Sequence, residues 1–129
     1  MNTKTLMTAT SLSLALAGIL TLFIPQELLA LLNLPITSIF TTLIQLIGAL
    51  YFSLALMNWT AKENSIGGIY SRPISLGNFS HFFIGTLVLA KYQLSNEING
   101  LIVAMLCVYA IFAVVFWWLV FRHTGIAAN

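Results

Sequence analysis

Apolar residues run along this chain in four long blocks separated by short polar breaks. The blocks cover roughly 5–24, 37–59, 73–92 and 99–121, and formally charged residues fall only at or beyond their ends. About 20 mostly apolar residues in helical conformation rise ~1.5 Å each and so cross a hydrocarbon core ~30 Å thick. Segments such as Leu101–Leu106 and Ile111–Val120 are apolar at every position, without the in–out alternation of barrel strands ~10 residues long. Lipid offers no partner to an unpaired backbone group, so the four blocks are predicted to be transmembrane helices. Short links make successive helices antiparallel neighbours. The predicted fold is therefore all-α: an integral membrane four-helix antiparallel bundle, with 1–129 as a single transmembrane domain.

The links differ in character. Between the first two spans lies Pro25-Gln26-Glu27-Leu28-Leu29-Ala30-Leu31-Leu32-Asn33-Leu34-Pro35, too apolar for an ordinary loop and bounded by a proline at each end. Proline suits the first turn of a helix and disrupts its interior, so this stretch reads as a short interfacial helix between turns. The link from Thr60 to Arg72 is the longest and most polar, contains Gly67-Gly68, and gives way to the third span at Pro73.

Composition removes the alternatives. The 129 residues are 60% hydrophobic and 6% charged, against roughly 25% charged in an ordinary soluble domain. Aspartate is absent, and the charges are Lys4, Glu27, Lys62, Glu63, Arg72, Lys91, Glu97 and Arg122. Scattered cations give no footprint for nucleic acid. Placing the N-terminus in the cytoplasm puts Lys4, Lys62, Arg72 and Arg122 inside and Lys91 alone outside, so both termini are expected to be cytoplasmic. Trp59 and the Phe116-Trp117-Trp118 run fit the interfacial aromatic belt on that side, and Tyr92 the opposite one. The first block is longer than the apolar core of a cleaved signal, and Ala15-Leu16-Ala17 falls inside it, so a retained helix is the expectation. Cys107 has no second cysteine to pair with and reads as a small packing residue.

Polar groups inside a bilayer are costly and point to function or to helix packing. On the third span Gly77, His81 and Gly85 recur every four residues with Asn78 beside them, giving a small polar face expected to look into the bundle while Phe79, Phe82 and Phe83 point elsewhere. On the second, Thr41, Gln45, Gly48, Phe52, Ala55 and Trp59 form a stripe that lets another backbone approach near Gly48. The first span carries the pairs Ser11 with Ala15 and Ser13 with Ala17. In the fourth, Ala104, Cys107, Ala110, Ala113 and Trp117 follow helical spacing. Asn58 and Asn78 are expected at similar depth and, with His81 ~12 Å inside the cytoplasmic end, to form a cluster reached from the link bearing Lys62, Glu63, Tyr70 and Arg72. The candidate ligand-binding residues are thus His81, Asn78, Asn58 and Gln45.

Several chemistries lack their residues. The spans hold one histidine, one cysteine and no carboxylate, and His123 lies just past the fourth span. That set supplies neither a bis-histidine haem, a metal cluster, a thiol relay, nor the intramembrane carboxylate of a proton-coupled exporter. No cofactor is expected, and no catalytic constellation supports an enzyme.

The order of these features, with Pro25-Gln26-Glu27-Leu28-Leu29 closing the first span, Leu31-Leu32-Asn33-Leu34-Pro35 following, and Gly48-Ala49-Leu50-Tyr51 in the second, resembles the DoxX-like group of small bacterial membrane proteins. The resemblance covers the arrangement of all four spans. It implies a bacterial inner membrane protein and, through members similar to subunits of quinone-reducing systems, a redox component; no catalytic residue is carried over by it.

Two functions remain from the residues themselves. One is a non-catalytic membrane subunit or scaffold that packs against other membrane subunits or against itself in the lipid bilayer. The other is binding or transport of a small lipid- or quinone-like molecule through the polar face around His81.

Overall fold

The structure is a computed structural model that describes residues 3–63 and 71–122. Five helices account for nearly all of them: α1 (Thr3–Phe23), α2 (Pro25–Leu31), α3 (Ser38–Ala61), α4 (Ser71–Ser95) and α5 (Gly100–Arg122). The four long ones are each apolar and long enough to cross a membrane, and each ends within a turn of its predicted boundary. The fold is all-α, with the helix set of the expected four-helix bundle. The chain forms two compact units, Met1–Glu63 and Asn64–Asn129.

In the first unit α1 packs antiparallel along α3, because Leu22 meets Gln45 while Ser11 meets Ala55. The buried side of α1 is Met7, Thr10, Leu14 and Gly18, the three-to-four spacing of one helix face. Ser11 donates from Oγ to the carbonyl of Ala55 at 2.7 Å, a bond that lipid could not replace. Of the two small-residue pairs predicted in α1, Ser11 is buried and Ser13 is exposed. Closest approach falls about two turns from the Ser11–Ala55 contact, at Gly18 and Gly48: a Cβ on Gly18 would stand 3.0 Å from the Gly48 carbonyl oxygen and 2.9 Å from the Phe52 amide nitrogen. The predicted α3 stripe is thereby realised at Gly48 and Ala55, which are buried, whereas Gln45, Phe52 and Trp59 are exposed.

The short helix α2 forms where the two prolines suggested. Pro25 occupies its first turn, and Leu29 is buried against the first unit. Its end is a Schellman motif: the amide of Leu34 bonds to Leu29 O at 2.9 Å and that of Asn33 to Ala30 O at 3.0 Å, with Asn33 at φ 55°. Asparagine is one of the few side chains that tolerate this left-handed conformation. The chain then straightens through Pro35 to Thr37, whose side chain caps α3 by accepting from the Phe40 amide at 3.3 Å.

In the second unit α4 and α5 also run antiparallel, since Phe79 meets Phe121 while Gly85 meets Tyr109. Asn99 caps α5, accepting from the amides of Leu101 at 3.0 Å and Ile102 at 3.4 Å. The core is aromatic. Phe82 is 1% exposed and lies 4.8 Å from Phe112, 5.2 Å from Tyr109 and 6.0 Å from Phe116, centroid to centroid. This corrects two sequence expectations. Phe82 was expected to point away from the packing face and is its centre. The buried side of α5 is Ile102, Tyr109, Ala113, Phe116 and Leu119, so of the predicted stripe only Ala113 is buried, and Cys107 is exposed rather than packed. Ring size decides both: burying a phenylalanine removes far more apolar area than burying an alanine or cysteine.

Outward faces of the four long helices carry large apolar side chains, among them Leu12, Leu16, Ile39, Leu46, Leu50, Ile84, Leu87, Ile111 and Val114, all exposed. Exposed apolar surface on this scale is unstable in water and at home in lipid.

Candidate functional site

Polar side chains within the helices are mostly spent on nearby carbonyls. Asn58, fully buried near the end of α3, donates Nδ2 to Leu54 O at 2.9 Å. Asn78, 2% exposed in α4, makes the same bond to Ile74 O at 2.9 Å. Thr10 and Thr86 likewise bond to the carbonyls four residues before them. Each of these bonds places one side-chain donor on a carbonyl of its own helix. Gln45 differs, reaching Leu22 O on α1 at 3.2 Å.

The His81 side chain has a side-chain partner from a different helix. Tyr109 of α5 places its hydroxyl oxygen 3.2 Å from His81 Nε2, with ring centroids 5.4 Å apart. The tyrosine ring lies over Gly85, where any Cβ would collide with Cε1, and meets the edge of Phe82. Three positions on α4 therefore hold Tyr109: Gly85 leaves room for the ring, Phe82 packs on it, and His81 shares a hydrogen bond with the hydroxyl. Gly77, the third small position of the predicted face, is exposed, and a Cβ there would meet nothing within 4 Å. The expectation that the whole Gly77–Gly85 face looks into the bundle is corrected accordingly. Four residues of helix turn 400°, so each step along Gly85, His81 and Gly77 rotates about 40° away from α5.

The candidate residues do not form one cluster along α3. Gln45 and Asn58 are thirteen residues apart, about 20 Å of helix, so Gln45 belongs to the opposite end of that span. Asn78 and His81 share one turn of α4. Asn58 is part of the first unit and Asn78 and His81 of the second. The polar residues expected to lead to the site are otherwise engaged: Lys62 Nζ sits 2.9 Å from the centroid of the Trp59 ring, and Glu63 pairs with Lys4. Arg72 is in the first turn of α4 rather than in a loop, and Tyr70 lies outside the described residues, as does His123.

Two residues of this region were missed in the sequence, Tyr109 and the buried Ser75. Their signal was present. Ser75, Asn78 and Phe82 follow a three–four spacing, and Ile102, Tyr109 and Phe116 recur every seven residues, as one face of a packed helix does.

Four long apolar helices, apolar outward faces and a polar inventory spent internally define a small multi-pass membrane protein. Comparison with protein-family models, with curated proteins and with solved structures gives no match in any of the three.

Proposed function

We propose that this small multi-pass protein is a non-catalytic membrane subunit or scaffold. The observation that carries the reading is the destination of its polar groups: Ser11 and Gln45 each bond a backbone carbonyl of the neighbouring helix, the use such groups have in holding helices together, while Thr10, Asn58, Asn78 and Thr86 bond carbonyls of their own helices. The outer faces are left as broad apolar surfaces suited to lipid or to the helices of another subunit. On this reading the protein lies in a bacterial inner membrane with both termini cytoplasmic, where Lys4 and Lys62 obey the positive-inside rule, and the DoxX-like resemblance supplies the bacterial assignment.

A second reading has its own observation. An ionisable side chain within a span marks a candidate site by default, and His81, hydrogen-bonded to Tyr109 of the neighbouring helix, supports binding of a small lipid- or quinone-like molecule there.

Native mass spectrometry on protein extracted gently from its own membrane separates the two. A stoichiometric partner subunit or a defined homo-oligomer supports the scaffold; a monomer carrying one discrete small-molecule mass rejects it in favour of the second reading.

A further inference from the structure

One end of the first unit gathers most of that unit's charge. Lys4 lies in the first turn of α1, Trp59 in the last turn of α3, and Lys62 and Glu63 directly follow α3. Their contacts divide them into two pairs. Lys4 and Glu63 bond each other, while the Lys62 ammonium stands 2.9 Å from the centroid of the exposed Trp59 ring. Two cations, Lys4 and Lys62, against one carboxylate, Glu63, leave this end with a surplus positive charge. A ring face attracts an ammonium without accepting its three N–H groups as an oxygen would, so Lys62 keeps donors for an anion. The ring also fixes a long side chain that an arriving anion would otherwise have to order.

Below that end, α3 turns an apolar surface outward. Leu56 and Phe52, three and seven residues before Trp59, are both exposed, and Phe52 lies ~10 Å deeper and only ~20° round the helix from Trp59. No charged residue interrupts either helix beneath Lys4 and Lys62. Charge at the helix ends with apolar side chains beneath it is the order of groups in a phospholipid.

The same contacts select the headgroup. A quaternary ammonium such as choline binds an aromatic face, and Lys62 already covers that of Trp59; Glu63, the carboxylate an ammonium headgroup would seek, is held by Lys4. What this end offers is a cation. We infer that it binds an anionic phospholipid, the phosphate on the Lys62 ammonium beside Trp59 and an acyl chain along Leu56 and Phe52.

The test is native mass spectrometry of the full chain in mild detergent, titrated with equal amounts of palmitoyl-oleoyl phosphatidylglycerol and phosphatidylcholine. Single-lipid adducts of the parent should favour phosphatidylglycerol about fivefold, the effect of one lysine at a membrane surface. Lys62→Gln should abolish that preference and Lys62→Arg should keep it. A lipid mass lost from Lys62→Gln is thereby separated from any molecule held at His81. Lys91→Gln removes the same charge from an exposed position on α4 and should leave the preference intact. Trp59→Leu changes no charge, yet should weaken the preference because the lysine is no longer held in place. A full preference surviving in either Lys62→Gln or Trp59→Leu overturns the site, since the attraction then comes from net charge or from another cation. Equal binding of the two lipids by the parent overturns it as well.

Discussion

Gly18 and Gly48 face each other across the first unit so closely that neither has room for a methyl group. A Cβ on Gly48 would be 2.5 Å from Thr21 Oγ1, 3.0 Å from Leu22 Cγ and 3.1 Å from the Gly18 carbonyl oxygen, while a Cβ on Gly18 meets the backbone of Gly48 and Phe52. Backbone cannot step aside as a flexible side chain can. Gly18→Leu should therefore force α1 and α3 apart and cost about 1–3 kcal/mol, as overpacking generally does. Gly77→Leu is the matched control: it enters open space, gains helix propensity, and should not lower stability. Unfolding in mixed micelles of mild detergent and dodecyl sulfate measures both, and equal stability of the two variants would refute the close crossing.

That crossing shows how far the sequence could be read. Span positions followed from hydropathy alone, since a bilayer demands some 20 apolar residues in a row. The approach near Gly48 followed from a residue whose meaning is mostly steric, and the short helix α2 from two prolines. Side-chain direction was harder. In a soluble helix, polar residues mark the outside and apolar ones the core; here both sides are apolar, so that contrast is lost. It was lost most completely in α5, where Tyr109 and Phe116 are buried while Cys107 and Trp117 are exposed although all four are apolar or amphipathic. The candidate site was legible as His81 and Asn78 on one turn. Its decisive partner was legible only by half: the seven-residue recurrence puts Tyr109 on a packed face of α5, but nothing in a single sequence pairs that residue with His81.

Tyr109 gives the next prediction. Tyr109→Phe removes the hydroxyl from His81 Nε2 and leaves the ring packed on Gly85 and Phe82, so the loss should be that of one intramembrane hydrogen bond, about 0.6–1.7 kcal/mol. Tyr109→Ala also empties the space the ring fills and should cost about 3–5 kcal/mol, in line with large-to-small aromatic truncations. The same detergent titration compares them. A phenylalanine variant as damaged as the alanine one would mean that the hydroxyl, rather than the ring, holds α4 to α5.

Asn33 tests the turn after α2. Its φ of 55° closes the Schellman motif that stops the helix and lets Pro35 start the approach to α3. Asn33→Gly should fold with stability close to the parent, since glycine adopts this conformation freely. Asn33→Val should lose about 1–2 kcal/mol through the contact between Cβ and the following carbonyl, with more for branching. Thermal unfolding monitored by circular dichroism in one detergent ranks the three; valine equal to glycine would show that the left-handed turn is absent.

The last prediction concerns pH. Lys4 Nζ approaches both carboxylate oxygens of Glu63, at 2.9 and 3.0 Å, tying the start of α1 to the residues just after α3. The Lys4 hydrogen bond holds the Glu63 carboxyl below its usual range against the opposing effect of desolvation, and the positive charges of Lys4 and Lys62 add to the lowering. A carboxyl with a lower pKa in the folded state binds protons more readily when unfolded. Its stabilising contribution is therefore complete above the ordinary carboxylate pKa and disappears as pH falls through the lowered value. Both side chains are exposed, so the effect is small and screened by salt. The parent should lose a small increment of stability on acidification from neutral pH that Glu63→Gln does not lose, and the difference should shrink at high ionic strength. Unfolding titrations at neutral and acidic pH, each at low and high salt, decide the matter, and a parent and variant that respond identically would show that the pair does not persist in the membrane-embedded protein.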